Sequence, residues 1–155
     1  MSATTTTPLI SAAQVRTLTA VLDEIVPPSD DARFPGAGAL GLAAYVEQTM
    51  AHTPDLQQVI TPGLTTLDRL VQARGAESFA ALCREDRLAL LDELTATEPA
   101  FLPTLTFHTY VGYYQHERVL EALHLEPRPP YPKGFEMQSS DLATLLEPVR
   151  RRAER

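Results

Sequence analysis

A glycine-rich segment of the chain has the spacing of a dinucleotide-binding loop. Residues Gly36 to Gly41 read Gly-Ala-Gly-Ala-Leu-Gly, which is the GxGxxG pattern. In dinucleotide-binding domains those glycines let a pyrophosphate approach the backbone between a strand and a helix. Here the preceding residues predict a helix that ends at Pro27-Pro28 and an acidic loop, and no βαβ unit follows. We therefore interpret the glycines as a flexible entry to the next helix.

The acidic and histidine residues near the end of the predicted bundle have only part of a metal-binding pattern. Glu121 and His124 form one Glu-x-x-His pair on a single helical face, whereas di-iron bundles use two such pairs and two further glutamates. His108, His116 and His124 recur every eight residues, which turns each one roughly 80° away from the last on a continuous helix. The spacing therefore predicts no metal or haem site, and we interpret His108 as a core histidine.

Cys83 is the only cysteine, so an intramolecular disulfide is excluded. It has no neighbouring base, and a lone cysteine beside an apolar stripe is typically a small core residue. The spacing of the remaining polar residues forms no recognisable Ser/His/Asp set. We therefore predict no catalytic residue, cofactor-binding residue or metal ligand in this chain.

Four of the five tyrosines lie between residues 110 and 131, beside a segment at 127–132 that contains four prolines. Tyrosine is enriched at protein interfaces because it combines a large rigid ring with a polar tip. A proline-rich strap loses little entropy when it docks on another surface. The alternative is that the strap wraps its own bundle and packs on the tyrosines. The candidate interface residues are Tyr110, Tyr113, Tyr114, Pro129, Pro130, Tyr131 and Pro132.

Helical periodicity predicts the elements that position these residues. Ser11 with Gln14 has the pattern of a capping box, and Pro27-Pro28 ends the helix that it opens. Thr53-Pro54-Asp55 and Thr61-Pro62 each resemble a helix start, because proline is favoured at the first helical position. Further helices are predicted at about 39–52, 84–95, 97–112, 115–123 and from 140 onwards.

The predicted fold class is all-α, a compact bundle of about six or seven short helices with a proline-rich C-terminal strap. We expect a disordered tail at residues 1–10, the bundle at 11–124, and the strap with a last helix at 125–155. Pro103 must lie in the first turn of its helix or kink it.

Composition excludes several classes of protein. The chain has 155 residues, enough for one domain, and a formal charge of -7 that disfavours nucleic acid. No apolar run is long enough for membrane insertion. The N-terminus lacks the basic and apolar regions of an export signal. We expect a cytoplasmic protein, or a periplasmic one if a signal was removed or a partner carries it.

Six short motifs, in order over residues 15–135, resemble the gluconate 2-dehydrogenase subunit 3 family. They are an amphipathic helix ending in an acidic loop, a glycine-containing loop before a second helix, two further helical segments, an aromatic turn and a strap. In this chain they are Leu22–Asp31, Pro35–Ala37 with Gly41–Val46, Gly63–Asp68, Phe79–Leu82 with Leu88–Leu91, Gly112–Tyr114 and Pro129–Gly134.

The resemblance implies a role beside a large flavoprotein of the glucose–methanol–choline oxidoreductase type. Such a subunit holds FAD and oxidises a sugar, sugar acid or polyol, and a cytochrome c subunit often takes the electrons. The small subunit would be a non-catalytic accessory subunit without a cofactor of its own. Two alternatives remain, a transient maturation or export chaperone for the flavoprotein and an independent enzyme or ligand-binding bundle using His108 and nearby tyrosines. Unlike many members, this chain has no twin-arginine signal, and its strap has Pro127-Arg128-Pro129-Pro130 in place of a glycine-containing turn.

Overall fold

The computed structural model describes residues 9–127, which form six α-helices and contain no β-strand. The all-α prediction is therefore confirmed. Residues 1–8 of the predicted tail, the predicted strap from residue 128 onwards and the predicted helix after residue 140 lie outside the described residues. The helices are α1 (Ala12–Ile25), α2 (Leu42–His52), α3 (Pro54–Ala73), α4 (Arg84–Thr97), α5 (Phe101–Tyr113) and α6 (Glu117–Ala122), with a 3-10 turn at Phe79–Ala81.

Helix α3 is central to the bundle, since it packs against α1, α2, α4 and α5. Its buried positions recur every three or four residues, as expected for an amphipathic helix facing a core. They are Leu56, Ile60, Gly63, Leu64, Leu67 and Val71. Gly63 permits a close approach to α5, because a Cβ atom at that position would lie 2.0 Å from Cδ2 of Phe101.

The prediction that Pro62 begins a helix is wrong, because Pro62 lies inside α3. A proline within a helix removes one backbone hydrogen bond and costs about 3 kcal/mol or more. Burying a single large aliphatic side chain contributes about 1.5–3 kcal/mol, and the buried stripe continues on both sides of Pro62 without a break in spacing. The carbonyl that lacks a donor is that of Gln58, four residues earlier, and both Gln58 and Pro62 are exposed, so water can bond to it. Core packing therefore outweighs the local signal.

At other helix ends the local sequence signals predicted the boundary with differing success. Ser11 and Gln14 form the predicted capping box, with Gln14 N donating to Ser11 Oγ at 3.2 Å and Ser11 N donating to Gln14 Oε1 at 3.0 Å. Pro103 lies in the first turn of α5, as predicted, although α5 begins at Phe101 and not at Thr97 to Pro99. The predicted tail extends too far, because Ile10 is only 3% exposed and belongs to the core.

Candidate partner-binding surface

Helix α5 has apolar residues on every side, and one of its faces is exposed. The outward positions follow the helical spacing i, i+4, i+7, i+11 and consist of Pro103, Phe107, Tyr110 and Tyr114. We call these four residues the α5 surface, although Tyr114 is the C-cap residue, one position beyond the helix. Phe107 is 64% exposed, Tyr110 45% and Tyr114 54%. Exposed contiguous aromatic groups of this kind mark interaction sites more often than scattered apolar residues do.

The opposite face of α5 is buried and fixes the orientation of the α5 surface. Phe101, Leu105 and Thr109 are all buried along it. Gly112 lets α2 approach closely, because a Cβ atom there would lie 2.7 Å from Cδ1 of Tyr45. Any rotation of α5 about its axis would disturb these contacts, so the exposed rings are held in place by the core.

Tyr113 belongs to the core, which corrects its assignment as an interface residue. Its side chain is 3% exposed, and its hydroxyl donates a hydrogen bond of 2.8 Å to the carbonyl oxygen of Pro35. Burial, with a smaller contribution from the nearby Tyr114, raises the pKa of Tyr113 above its ordinary value. Tyr113 therefore anchors the end of α5 to the loop before α2, while Tyr110 and Tyr114 remain on the surface.

Each exposed ring of α5 contacts another aromatic ring in a defined geometry. The rings of Tyr110 and Tyr114 lie 6.1 Å apart at an interplanar angle of 33°, and Tyr114 meets Tyr113 edge-to-face at 5.5 Å. Phe107 meets the ring of His108 edge-to-face at 5.3 Å. Aromatic pairs in such arrangements stabilise each other by about 0.5–1.5 kcal/mol. The α5 surface is thus partly organised before any partner binds.

The segment after α6 leaves the bundle through a well-defined turn. His124 has a φ of 60°, His124 N donates to Glu121 O at 2.9 Å, and Leu125 N donates to Leu120 O at 2.8 Å. This pair of bonds around a left-handed residue is a Schellman motif, which reverses the chain at a helix end. The guanidinium of Arg33 donates to the carbonyl oxygen of Ala122 and lies beside the His124 ring.

The same turn corrects the interpretation of the Glu-x-x-His pair. Helix α6 ends at Ala122, so His124 lies beyond it and does not share a helical face with Glu121. His116 is the N-cap residue of α6, where its Nδ1 accepts from Arg118 N at 3.3 Å. Between residues 9 and 127, no three His, Cys, Asp or Glu side chains come close enough to hold a metal ion.

The glycines of the GxGxxG segment have a packing role against α1. Gly38 N donates to the Asp23 carboxylate at 2.8 Å. A Cβ atom on Gly36 would lie 2.3 Å from Asp23 Oδ1, and one on Gly38 would lie 2.4 Å from the carbonyl oxygen of Thr19. Gly41 has a φ of 73° and caps α2. The element before this loop is the helix α1, whereas a dinucleotide site requires a strand there.

Cys83 and His108, which the sequence predicted to be core residues, are not fully buried. Cys83 is exposed at the start of α4, and its thiol lies 3.1 Å from an Asp86 carboxylate oxygen. A lone cysteine before an apolar stripe need not face the core when it occupies an N-cap position. His108 is half-buried on α5, because the adjacent Thr109 takes the inward position.

A cavity of about 180 Å³ lies between α1, α3 and the 3-10 turn. Its lining includes Arg16, Thr17, Asp68 and Ser78 but neither His108 nor a tyrosine. Thr17 Oγ1 already donates to Asp68 at 3.0 Å across it.

None of the helices in the described part is both long and apolar enough to cross a membrane.

Of the predicted interface residues, the structure brings Tyr110 and Tyr114 together on one face. Pro129, Pro130, Tyr131 and Pro132 lie outside the described residues. Sequence reasoning missed Phe107, the most exposed of the large apolar side chains in the described range, and Pro103. The spacing of these two residues with Tyr110 and Tyr114 was the signal that could have found them.

Comparison with known families gives an independent result for the bundle. The model of the family described as gluconate 2-dehydrogenase subunit 3 matches residues 12–126. The match begins at the first turn of α1 and ends just after α6, so it includes every described helix and stops before Pro127, the first proline of the predicted strap. Searches of curated proteins and of solved structures returned no significant match.

Proposed function

Since the chain belongs to the gluconate 2-dehydrogenase subunit 3 family, we propose that it is a non-catalytic accessory subunit of a dehydrogenase complex. In this proposal it binds and stabilises an FAD-dependent catalytic subunit of the glucose–methanol–choline type, which oxidises a sugar or polyol. The flavin belongs to that partner. The observation that carries the proposal is the α5 surface, an exposed aromatic face fixed on a packed core.

The composition of α5 suits the centre of a protein interface. The helix contains no Asp, Glu, Lys or Arg, and the centres of interfaces are depleted of charge and enriched in Tyr and Phe. Each aromatic side chain can bury about 150–250 Å². Three half-exposed rings would therefore add roughly 300 Å² of apolar area, compared with about 800 Å² on each side of a standard interface. The α5 surface is large enough for the energetic centre of an interface and needs a surrounding rim.

Co-expression with the catalytic subunit tests the proposal. We expect a stable equimolar complex on size-exclusion chromatography, and a catalytic subunit that contains less FAD when it is produced alone. Flavin absorbance per catalytic polypeptide measures the second effect. A partner that is equally soluble, flavinated and active alone would contradict the proposal. An effect on flavin content without co-elution would favour the transient chaperone instead.

A matched pair of substitutions tests the surface itself. Phe107→Ser removes the most exposed ring of α5, and we expect the affinity for the catalytic subunit to fall about thirtyfold or more, as for a central interface residue. Leu88→Ser is the control, because Leu88 is 45% exposed on α4, the same fraction as Tyr110. Equal losses from the two variants would show that the α5 surface is not the contact.

A further inference from the structure

An open groove on the side of the bundle is bordered by two arginines. It has a volume of about 380 Å³ and lies where α1, the 3-10 turn and α4 meet. Among its described lining residues, Arg16 of α1 and Arg87 of α4 are the cations and Asp23 is the one carboxylate. None of these lining residues belongs to α5, so the groove is separate from the α5 surface. Its volume falls in the range of about 300–1,000 Å³ that small-molecule sites occupy.

The guanidinium of Arg87 is only partly satisfied by the protein. Arg87 Nη2 donates to Glu24 Oε1 at 2.8 Å, and Arg84 Nε donates to the other Glu24 oxygen at 3.2 Å. The two arginines therefore share one carboxylate. Arg87 Nε is buried and has no acceptor among the described residues. A buried donor without an acceptor is unfavourable, and a bound ion is one of the few explanations for it in a folded protein.

Arg16 brings a second positive charge to the groove, and no neighbouring carboxylate pairs with it. Its side chain is exposed and makes no hydrogen bond or ion pair with any residue in the described range. Arg16 also borders the cavity that contains Asp68 and Glu77, yet it pairs with neither. Asp23 interacts instead with the glycine-rich loop, since its Oδ1 accepts from Gly38 N at 2.8 Å. The Arg16 guanidinium is therefore available to a ligand.

The groove differs in charge from the rest of the bundle. Residues 9–127 contain sixteen Asp and Glu residues, seven arginines and no lysine. At this face three of those arginines meet only two carboxylates, those of Asp23 and Glu24. A cleft with an excess of positive charge raises the local concentration of anions. An acidic protein that gathers arginines at one groove thus has a place suited to an anion.

We propose that the groove binds an oxyanion, a carboxylate or phosphate group held between Arg16 and Arg87. Guanidinium groups suit these anions because their planar N–H donors match a pair of oxygens. The anion accepts from the free Arg16 guanidinium, and a small rotation of Arg87 brings its buried Nε to the same anion. Two small side chains, Ala20 and Ala80, also line the groove and leave room for the body of an organic anion. This site does not depend on the proposed function.

Titration of the isolated subunit with sodium phosphate, followed by nitrogen–proton correlation NMR of the arginine side chains, tests the site. We expect a saturable shift of the Arg87 Nε–H signal, which sodium chloride at the same ionic strength does not produce. Arg16→Gln should weaken phosphate binding about tenfold, as expected when one charge-assisted hydrogen bond is lost. Arg69→Gln is the matched control and should leave the affinity unchanged, because Arg69 is exposed on α3 outside the groove.

A second variant tests Arg87 itself. Arg87→Lys keeps the positive charge beside Glu24 but removes the Nε donor, so it should also weaken phosphate binding. Thermal unfolding of this variant shows whether the pair with Glu24 survives. Because Arg16 is exposed and unpaired in the described structure, Arg16→Gln leaves the fold intact and keeps the test decisive if Arg87→Lys is unstable.

Succinate and the catalytic subunit distinguish the source of the anion. Saturable binding of phosphate or succinate that Arg16→Gln weakens identifies a free small anion as the ligand. If neither binds, but Arg16→Gln weakens capture of the catalytic subunit and Arg69→Gln does not, the oxyanion is a carboxylate of that protein. Shifts that sodium chloride reproduces, or Arg16→Gln with unaltered anion binding and unaltered capture, would overturn the proposal. Since the anion titration uses the subunit alone, its failure is distinct from a failure to bind the flavoprotein.

Discussion

Replacing Gly38 with alanine should separate a packing role for the glycine-rich loop from a ligand-binding one. No left-handed φ is required at Gly38, so alanine is compatible with its backbone. The added Cβ atom would lie 2.4 Å from the Thr19 carbonyl oxygen and 2.6 Å from Asp23 Oδ2, whereas real contacts of this kind stay above 3.0 Å. Thr19 lies inside α1, so its carbonyl cannot move without disturbing the helix. The loop must shift instead.

That shift has two costs. Overpacking against a fixed backbone costs about 1–3 kcal/mol. Movement of the loop also weakens the 2.8 Å bond from Gly38 N to Asp23, and hydrogen bonds to charged groups contribute about 1.5–3 kcal/mol. Alanine also has less conformational freedom than glycine in the unfolded chain, which raises the free energy of unfolding by about 0.4–1 kcal/mol. We therefore expect Gly38→Ala to lower the free energy of unfolding by about 2–4 kcal/mol.

Urea denaturation followed by far-UV circular dichroism measures this change. The matched control is Gly41→Ala, at the last glycine of the same motif. Gly41 has a φ of 73° with open space around it, so alanine there adds about 1–2 kcal/mol of backbone strain and no clash. In an Asp23→Ala background the effect of Gly38→Ala should shrink by about 1 kcal/mol, because the two residues share one bond. A Gly38→Ala chain no less stable than Gly41→Ala would refute the packing role.

Three further substitutions test contacts that position the helices. Gly63→Ala should destabilise the bundle by about 1–3 kcal/mol in thermal unfolding, because its Cβ atom would meet the Phe101 ring; Phe101→Leu should restore part of the loss. Glu24→Gln should lower the free energy of unfolding in urea by about 1.5–3 kcal/mol, because the side chain of Glu24 is only 6% exposed and pairs with two arginines of α4 at 3.2 and 2.8 Å. Burial raises the pKa of Tyr113 above 10.0, so the folded state holds its proton more tightly than the unfolded state does. The resulting stability is complete below pH 10 and is lost as the pH rises through the folded-state pKa. Tyr113→Phe should reduce that alkaline loss in a pH series of urea titrations, and Tyr114→Phe should reduce it less, because Tyr114 makes the smaller contribution to the shift.

Local chemistry made the limits of α1 predictable. Ser11 and Gln14 satisfy each other's backbone donors within four residues, and Pro27 ends the helix through its own ring. The continuation of α3 through Pro62 depends instead on side chains of four other helices. The hydrogen bond lost at Pro62 is a local cost, but the burial of α3 side chains against other helices, which offsets that cost, is a tertiary effect. The sequence pattern therefore predicts that a helix begins at Pro62, whereas in the packed bundle α3 continues through that residue.

The candidate surface was predictable in composition but not in orientation. The sequence predicted an interface of clustered tyrosines beside the strap, yet it did not separate Tyr113 from Tyr110 and Tyr114. Periodicity identifies the inner face of a helix only when polar residues mark the outer one, and α5 has apolar residues on all sides. The orientation is set by packing of Gly112 against Tyr45 and by the bond of Tyr113 to the preceding loop.

Substitution of an interface side chain weakens partner binding but leaves the isolated chain stable, whereas substitution of a core side chain destabilises the fold. This difference distinguishes Phe107 from Phe101 on the buried face of the same helix. Phe107→Ser should change the free energy of unfolding of the isolated chain by no more than about 1 kcal/mol, since exposed substitutions have small effects and the two residues have similar helix propensities. Phe101→Ala, on the buried face of the same helix, should cost about 3–5 kcal/mol. Only Phe107→Ser should combine a stable chain with weak capture of the catalytic subunit. A large loss of stability from Phe107→Ser would mean that the ring belongs to the core, and the binding argument for α5 would then fail.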